Sequence, residues 1–186
     1  QEGISELSIP TRDAFLAAPL LERYTPMSFR DLLLLMEEYP DICIVTDTKF
    51  TDAEVVTAQF TAMLNDAHEL GLSYLFDRMV IQVYSPLMFR VVDHLGHFPH
   101  YIYTFYAEGF NGTEEALRER LTFCRKNGIE GATMWSWLWR PSYAAIAENS
   151  GVRCYVHTVN DRETAEALLQ SGVSAVYTDY LVLHED

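Results

Sequence analysis

The chain is poor in positive charge. Its 186 residues carry 13 lysines and arginines against 27 aspartates and glutamates, a formal charge of −14. A surface this acidic repels nucleic-acid phosphates and anionic headgroups, which argues against a nucleic-acid binder and a basic membrane-surface module. Long apolar runs are missing too. The longest, such as residues 32–36 (LLLLM), reach five residues, far short of the roughly 20 needed to cross a bilayer. Cysteine is scarce: Cys43, Cys124 and Cys154 make no CxxC and no even-numbered framework. They are expected to be reduced and mostly buried, packing as small hydrophobes. No GxGxxG follows the first strand candidate, and GxxxxGK[ST], GxSxG and HExxH are absent. The sequence signals of nucleotide-binding sheets, serine-hydrolase elbows and zincin helices are therefore lacking. The first residue is Gln1 rather than a methionine, so the natural start, and any export signal with it, is expected upstream of Gln1.

What is present is a core and a period. Half the residues (49%) are hydrophobic, enough to bury a core of one domain. Short β-rich runs stand at residues 42–46, 79–84, 101–106, 131–135, 153–158 and 175–178. Several are nearly continuous apolar runs, as strands buried on both faces should be. Amphipathic helices lie between them with readable ends. Ser28 with Asp31 and Thr51 with Glu54 have capping-box spacing, and Pro86 after Ser85 opens a helix. Thr113 opens another with Leu117, Leu121 and Cys124 on one face, and Asn160 or Asp161 caps the last. Gly71, Gly96, Gly128, Gly151 and Gly172 close helices. The first 27 residues, with Pro10, Pro19 and Pro26, have no period and are expected to be a loop or small excursion.

The strand centres are 21 to 38 residues apart, room each time for a crossover helix, so the strands are expected to be parallel. Six such units fit an open doubly wound sheet, or a (β/α)8 TIM-barrel with about six of eight units. A full barrel takes about 250 residues, and six eighths of that is roughly 190. The fold class expected is α/β, of the parallel barrel type, with residues 1–186 as one portion of a single barrel domain.

In either architecture function collects at the carboxyl ends of the strands. That rim carries Thr46, Asp47, Thr48 and Lys49; Gln82, Tyr84 and Ser85; Thr104, Tyr106 and Glu108; Trp135, Ser136 and Trp137; His157, Thr158 and Asn160; Thr178 and Asp179. It is polar and aromatic, suited to a small polar ligand. In an extended segment Asp47 and Lys49 point to one side. They make an internal ion pair, or a carboxylate for a hard cation beside an ammonium for a phosphate oxygen. His157, inside an apolar strand, is a hydrogen-bonded core histidine or an acid–base group. Ser85, Thr51 and Asn160 read as helix caps. His94, His97 and His100 precede a strand and belong to the opposite face, in a structural or solvent-exposed role.

Five segments carry a family resemblance: residues 24–33 (YTPMSFRDLL), 44–49 (IVTDTK), 80–85 (VIQVYS), 155–161 (YVHTVND) and 172–180 (GVSAVYTDY). In order and spacing they resemble the glycerophosphodiester phosphodiesterase family, close to the phosphatidylinositol-specific phospholipase C-like barrels. In that family the fourth segment usually reads VWTVN. The resemblance implies a TIM barrel that hydrolyses glycerophosphodiesters to an alcohol and glycerol phosphate. It implies a divalent cation, Mg²⁺ or Ca²⁺, and two acid–base histidines. Asp47 matches the family's third metal carboxylate, with Asp for Glu, and Lys49 the phosphate-contacting lysine. Gln82, Trp135 and His157 are the further substrate-binding candidates. The family's His-Arg pair and Glu-x-Asp do not occur upstream of Asp47, and no histidine precedes His68. The acid–base histidines are therefore expected upstream of Gln1, and no catalytic residue is assigned within the chain. The chain is expected to be the carboxyl-terminal three quarters of such a protein and inactive alone. A homo-oligomer or a complementing amino-terminal fragment is expected to cover its open edges. The second reading is a non-catalytic binding domain derived from the barrel. Cytoplasmic and membrane-associated locations both stay open.

Overall fold

The computed structural model describes residues 11–19, 21–96 and 98–182. Gln1, Pro10 and His97, singled out above, lie outside the described residues. The expectation of acid–base histidines upstream of Gln1 lies outside them as well. Contacts divide the chain into two compact units, residues 1–42 with 63–75, and residues 43–62 with 76–186.

The first unit holds helices α1 (Arg12–Ala17) and α2 (Phe29–Glu38) and the later part of α3 (Ala53–Leu70). The residues before α2 are more than a loop. Thr11 accepts from the amide of Ala14 and starts α1, which buries none of its own side chains. A helix with no buried face leaves no hydrophobic period in the sequence. Before α2, the Ser28–Asp31 capping box is made in both directions. It satisfies orphan amides, a contribution of about 1 kcal/mol. Arg30 bonds Asp66 at 2.9 Å and Glu69 at 2.7 Å. The unit buries Leu33, Met36, Ala67, Leu72 and Leu75.

The second unit contains a six-stranded sheet in sequence order: β1 (Ile44–Val45), β2 (Met79–Val83), β3 (His100–Thr104), β4 (Gly131–Trp135), β5 (Arg153–His157) and β6 (Ala175–Val176). Every neighbouring pair is parallel, and the sheet is a curled half-barrel. α4 (Pro86–Leu95), α5 (Glu114–Lys126), α6 (Tyr143–Ser150) and α7 (Arg162–Gln170) supply the later crossovers. Among the described residues β1 pairs only with β2 and β6 only with β5. The barrel reading holds, and the doubly wound one falls, because strand order never reverses.

Alternate side chains explain the curl. Ile81, Val83, Tyr101, Tyr103, Ala132, Met134, Cys154 and Val156 are buried on one face. On that side Tyr101 meets Phe89 of α4, and Tyr103 meets Phe123 of α5, edge to face. Each large side chain buried there is worth about 1.5–3 kcal/mol. The other face carries Val80, Gln82, Ile102, Thr104, Thr133, Trp135, Tyr155 and His157, which line two cavities at opposite ends of the strands.

Most helix ends are where the sequence puts them. Ser85 caps α4 with Pro86 next, Thr113 caps α5, and Asp161 caps α7. Two caps are corrected. Asp52, not Thr51, accepts from the amides of Glu54 and Val55 at the start of α3, because a carboxylate one residue later reaches those amides. Asn160 caps nothing; its amide clasps the loop after β6. Cys124 and Cys154 are buried while Cys43 is exposed. Burial pushes both inner thiols up to about 12, so only Cys43 offers a thiol to solvent. No described helix is long and apolar enough to cross a membrane.

Candidate functional site

At the carboxyl ends of the strands lies an open cavity of about 610 Å³, and all six strands or the loops after them contribute to its lining. The buried polar residues Thr46, Gln82, Thr104 and Thr133 all line it. Polar side chains are expelled from a core unless they are hydrogen-bonded or face a ligand. This end of the half-barrel is therefore built for polar contents.

Thr46 extends β1 beyond its formal end. Its amide donates to the Val80 carbonyl at 3.0 Å, and its hydroxyl accepts from the Gln82 amide at 3.0 Å. The chain then turns sharply. The Phe50 amide donates to the Thr48 carbonyl at 2.8 Å, and Lys49 between them has φ +65°. This is a γ-turn with a bulky residue in the left-handed region, a conformation costing roughly 1–3 kcal/mol. The segment is not extended, so the side-by-side argument for Asp47 and Lys49 fails. The turn nevertheless folds the ammonium back onto the carboxylate, with Lys49 Nζ 2.6 Å from Asp47 Oδ2.

Two further contacts fix that carboxylate, and a third ties their donors together. Gln82 Nε2 donates to Asp47 Oδ1 at 3.1 Å and to the Tyr84 hydroxyl at 2.9 Å, and the Tyr84 hydroxyl donates to Asp47 Oδ1. Gln82 lies on β2 and Tyr84 just past its end. Burial raises the Asp47 pKa, but the hydrogen bonds from Lys49 and Tyr84 and the lysine's charge outweigh it and hold it below the usual carboxylate range. The same pairing raises Lys49, and burial with Asp47 raises Tyr84. Lys49 Nζ also stands 3.5 Å from the Tyr106 hydroxyl and 5.8 Å from its ring centre.

An aromatic wall faces this pair. Tyr106 packs on Trp135 at 5.8 Å and on His157 at 5.9 Å, and Trp135 lies 4.4 Å from His157. Trp137 stacks on Trp135 at 4.5 Å and is 69% exposed. The His157–Thr158 peptide bond is cis. Burial, and then the Lys49 charge, lower the His157 pKa despite Asp47, which favours the neutral imidazole. Beside it, Asn160 accepts from Thr178 and from the Asp179 amide, and donates to the Asp179 carboxylate.

All five residues singled out from the sequence, Asp47, Lys49, Gln82, Trp135 and His157, line this one cavity. Sequence reasoning missed Thr133 and Tyr177, which line it too, and the grip of Tyr84 on Asp47. The signal for Thr133 was available, since it lies two residues before Trp135 on one strand face. His100 sits at the opposite end, 3.4 Å from Glu130.

The residues do not make a divalent-cation site by themselves. Among the described residues no group of three or more His, Cys, Asp or Glu comes together. The carboxylate at the mouth is shared with an ammonium, a phenol and an amide. A hard cation wants six or more oxygens, several of them anionic.

Solved structures supply the comparison. A protein from Galdieria sulphuraria assigned as a glycerophosphodiester phosphodiesterase superposes with a TM-score of 0.76 at 12% identity, over 97% of this chain and 70% of that one. The chain shares the fold of a large part of that protein. A glycerophosphodiester phosphodiesterase from Parabacteroides distasonis gives 0.66 at 15% identity, over 91% of this chain and 66% of that one. An Oleispira antarctica phosphodiesterase, solved with the product sn-glycerol-3-phosphate, gives 0.59 at 13%, over 81% and 56%. The chain spans as little as 52% of such a structure, as with a glycerophosphoryl diester phosphodiesterase assignment from Silicibacter pomeroyi. No family profile matches the sequence, and no curated protein does either.

Proposed function

We propose that the chain forms the ligand-holding part of a glycerophosphodiester phosphodiesterase, an enzyme that hydrolyses such diesters to an alcohol and glycerol phosphate. Lys49 meets a phosphate oxygen, Gln82 fixes Asp47 beside it, and Trp135 and His157 wall the glycerol end. The observation that carries this reading is the convergence of these side chains on one cavity at the carboxyl ends of the strands. The glycerol 3-phosphate bound to the Oleispira phosphodiesterase supports the ligand class.

A divalent cation belongs to this reading with Asp47 as one ligand, and only together with donors beyond those described. The 186 residues alone are therefore expected to bind glycerol 3-phosphate in calorimetric titration. They are expected to release no choline from glycerophosphocholine, with or without Mg²⁺ or Ca²⁺. One carboxylate and one imidazole cannot supply both the metal and the acid–base pair. Absence of binding would overturn the reading. Robust metal-dependent turnover would overturn this division of roles.

The reading also includes association. β1 and β6 each leave one edge of backbone donors and acceptors unpaired within the described sheet, and such edges template pairing with another chain. Sedimentation velocity is expected to show a species heavier than one chain at micromolar concentration. A monomer across the whole range would refute it.

A further inference from the structure

Thr133 and His157 are diagonal neighbours on the concave face. Thr133 pairs in register with Tyr155, and Trp135 with His157, so 133 lies one layer below 157 on the adjoining strand. Both line the mouth cavity. Each also carries an orphan: Thr133 Oγ1 and His157 Nε2 are buried and have no hydrogen-bond partner. Thr133 is 1% exposed. Leaving such a group unpaired is costly, and native structures do so where a ligand or a water completes the bond. Here the two residues line one cavity, Thr133 level with Thr104 and His157 against the rings of Trp135 and Tyr106.

The chemistry of the pair selects what fits between them. In a neutral imidazole one ring nitrogen donates and the other accepts, and a threonine hydroxyl does both. A ligand hydroxyl, donor and acceptor at once, complements Thr133 and either role of His157 Nε2. A phosphate oxygen only accepts, so it meets that nitrogen in one tautomer alone. A ligand ammonium is opposed by burial and by the Lys49 charge, the influences that favour the neutral imidazole. The aromatic wall suits the C–H faces of a short carbon chain.

We propose that Thr133 Oγ1 and His157 Nε2 form a subsite for a free hydroxyl of the ligand, so that the cavity selects phosphorylated polyols over alkyl phosphates. The proposal rests on the phosphate grip assigned to Lys49 above and adds the group that sets specificity. Lys49 stands at the rim and the two orphans lie deeper, which orients the ligand with phosphate outward and hydroxyl inward.

The test compares glycerol 3-phosphate with propyl phosphate, equal in charge and length but without hydroxyls. Both are titrated into the whole chain and into Thr133→Val and His157→Phe. The wild type is expected to prefer glycerol 3-phosphate about tenfold, the effect of one well-placed hydrogen bond. Each variant is expected to bring that ratio to about one by weakening glycerol 3-phosphate. Valine matches threonine in shape and removes an unpaired hydroxyl, so its thermal midpoint should hold or rise and report that the chain is folded. The ¹⁵N shift of His157 Nε2 on adding glycerol alone gives a reading independent of phosphate. If both phosphates bind wild type equally and glycerol leaves that nitrogen unmoved, the orphans hold water only. The subsite is then overturned while the phosphate grip stands. If glycerol moves the nitrogen in wild type and not in Thr133→Val, yet neither phosphate binds, the subsite stands and the phosphate grip falls. Silence in both experiments overturns both.

Discussion

Replacing Gly172 by alanine is expected to lower the thermal midpoint by roughly 10 °C, at about 2–4 °C per kcal/mol for a chain of this size. Gly172 follows α7 at φ +99°, a backbone region that L side chains avoid. Its own amide and that of Val173 close the helix on the carbonyls of Leu169 and Leu168. A Cβ placed there would stand 2.5 Å from the Ala144 Cβ and 3.4 Å from its Cα. Ala144 has no flexible end to swing away, so α6 or the end of α7 must shift. The dihedral costs roughly 1–3 kcal/mol and the overlap a similar amount, against a total stability of about 5–15 kcal/mol. Gly128→Ala separates the two causes. Gly128 also has positive φ, +69°, but nothing within 4 Å of the added carbon, so only the dihedral cost of about 1–2 kcal/mol remains. Calorimetric scans of both variants should differ by several degrees. Equal losses would show that the α6–α7 contact is not tight.

Lys49→Met is expected to weaken glycerol 3-phosphate binding roughly 10- to 100-fold, the range for losing a hydrogen bond to a charged group. Methionine keeps the apolar stem and removes the charge. Among the cavity-lining residues Lys49 is the cation, beside Asp47 and Asp179, so no other side chain there replaces it. Asp47→Asn should act in the opposite sense in the metal-free chain. It removes the carboxylate that competes for the ammonium at 2.6 Å and should tighten binding by up to about fivefold, the scale of an exposed ion pair. A third variant, Lys49→Gly, should lose binding yet gain about 1 kcal/mol of stability, because glycine takes φ +65° without strain. Binding unchanged in Lys49→Met would remove Lys49 from the site. A loss of stability in Lys49→Gly would mean that the turn is held by the lysine rather than strained by it.

The fold was legible where the causes were local. A capping box at Ser28, a proline after Ser85 and a hydrophobic period in 117, 121 and 124 mark their helices without outside help. The strands were legible because burial on both faces leaves apolar runs, and their spacing leaves room for crossovers. α1 was not legible, since six residues with no buried face carry no period. The site was legible as a set of residues but not as a geometry. Asp47 and Lys49 do meet, through a turn at positive φ that nothing in DTK announces. Thr133 could be put on the Trp135 face by its spacing, but within GATMW its partner across the sheet could not be read. Only the register against β5 places it beneath His157.

The acid–amine contact at the rim also sets which solutes can enter. Its carboxylate is tethered two residues from the ammonium it neutralises, so it acts as a counterion at high and constant local concentration. Dilute chloride or acetate, each one charge and free to diffuse, cannot dislodge it. On the proposed reading a doubly charged phosphomonoester can, so the mouth would discriminate against common small anions.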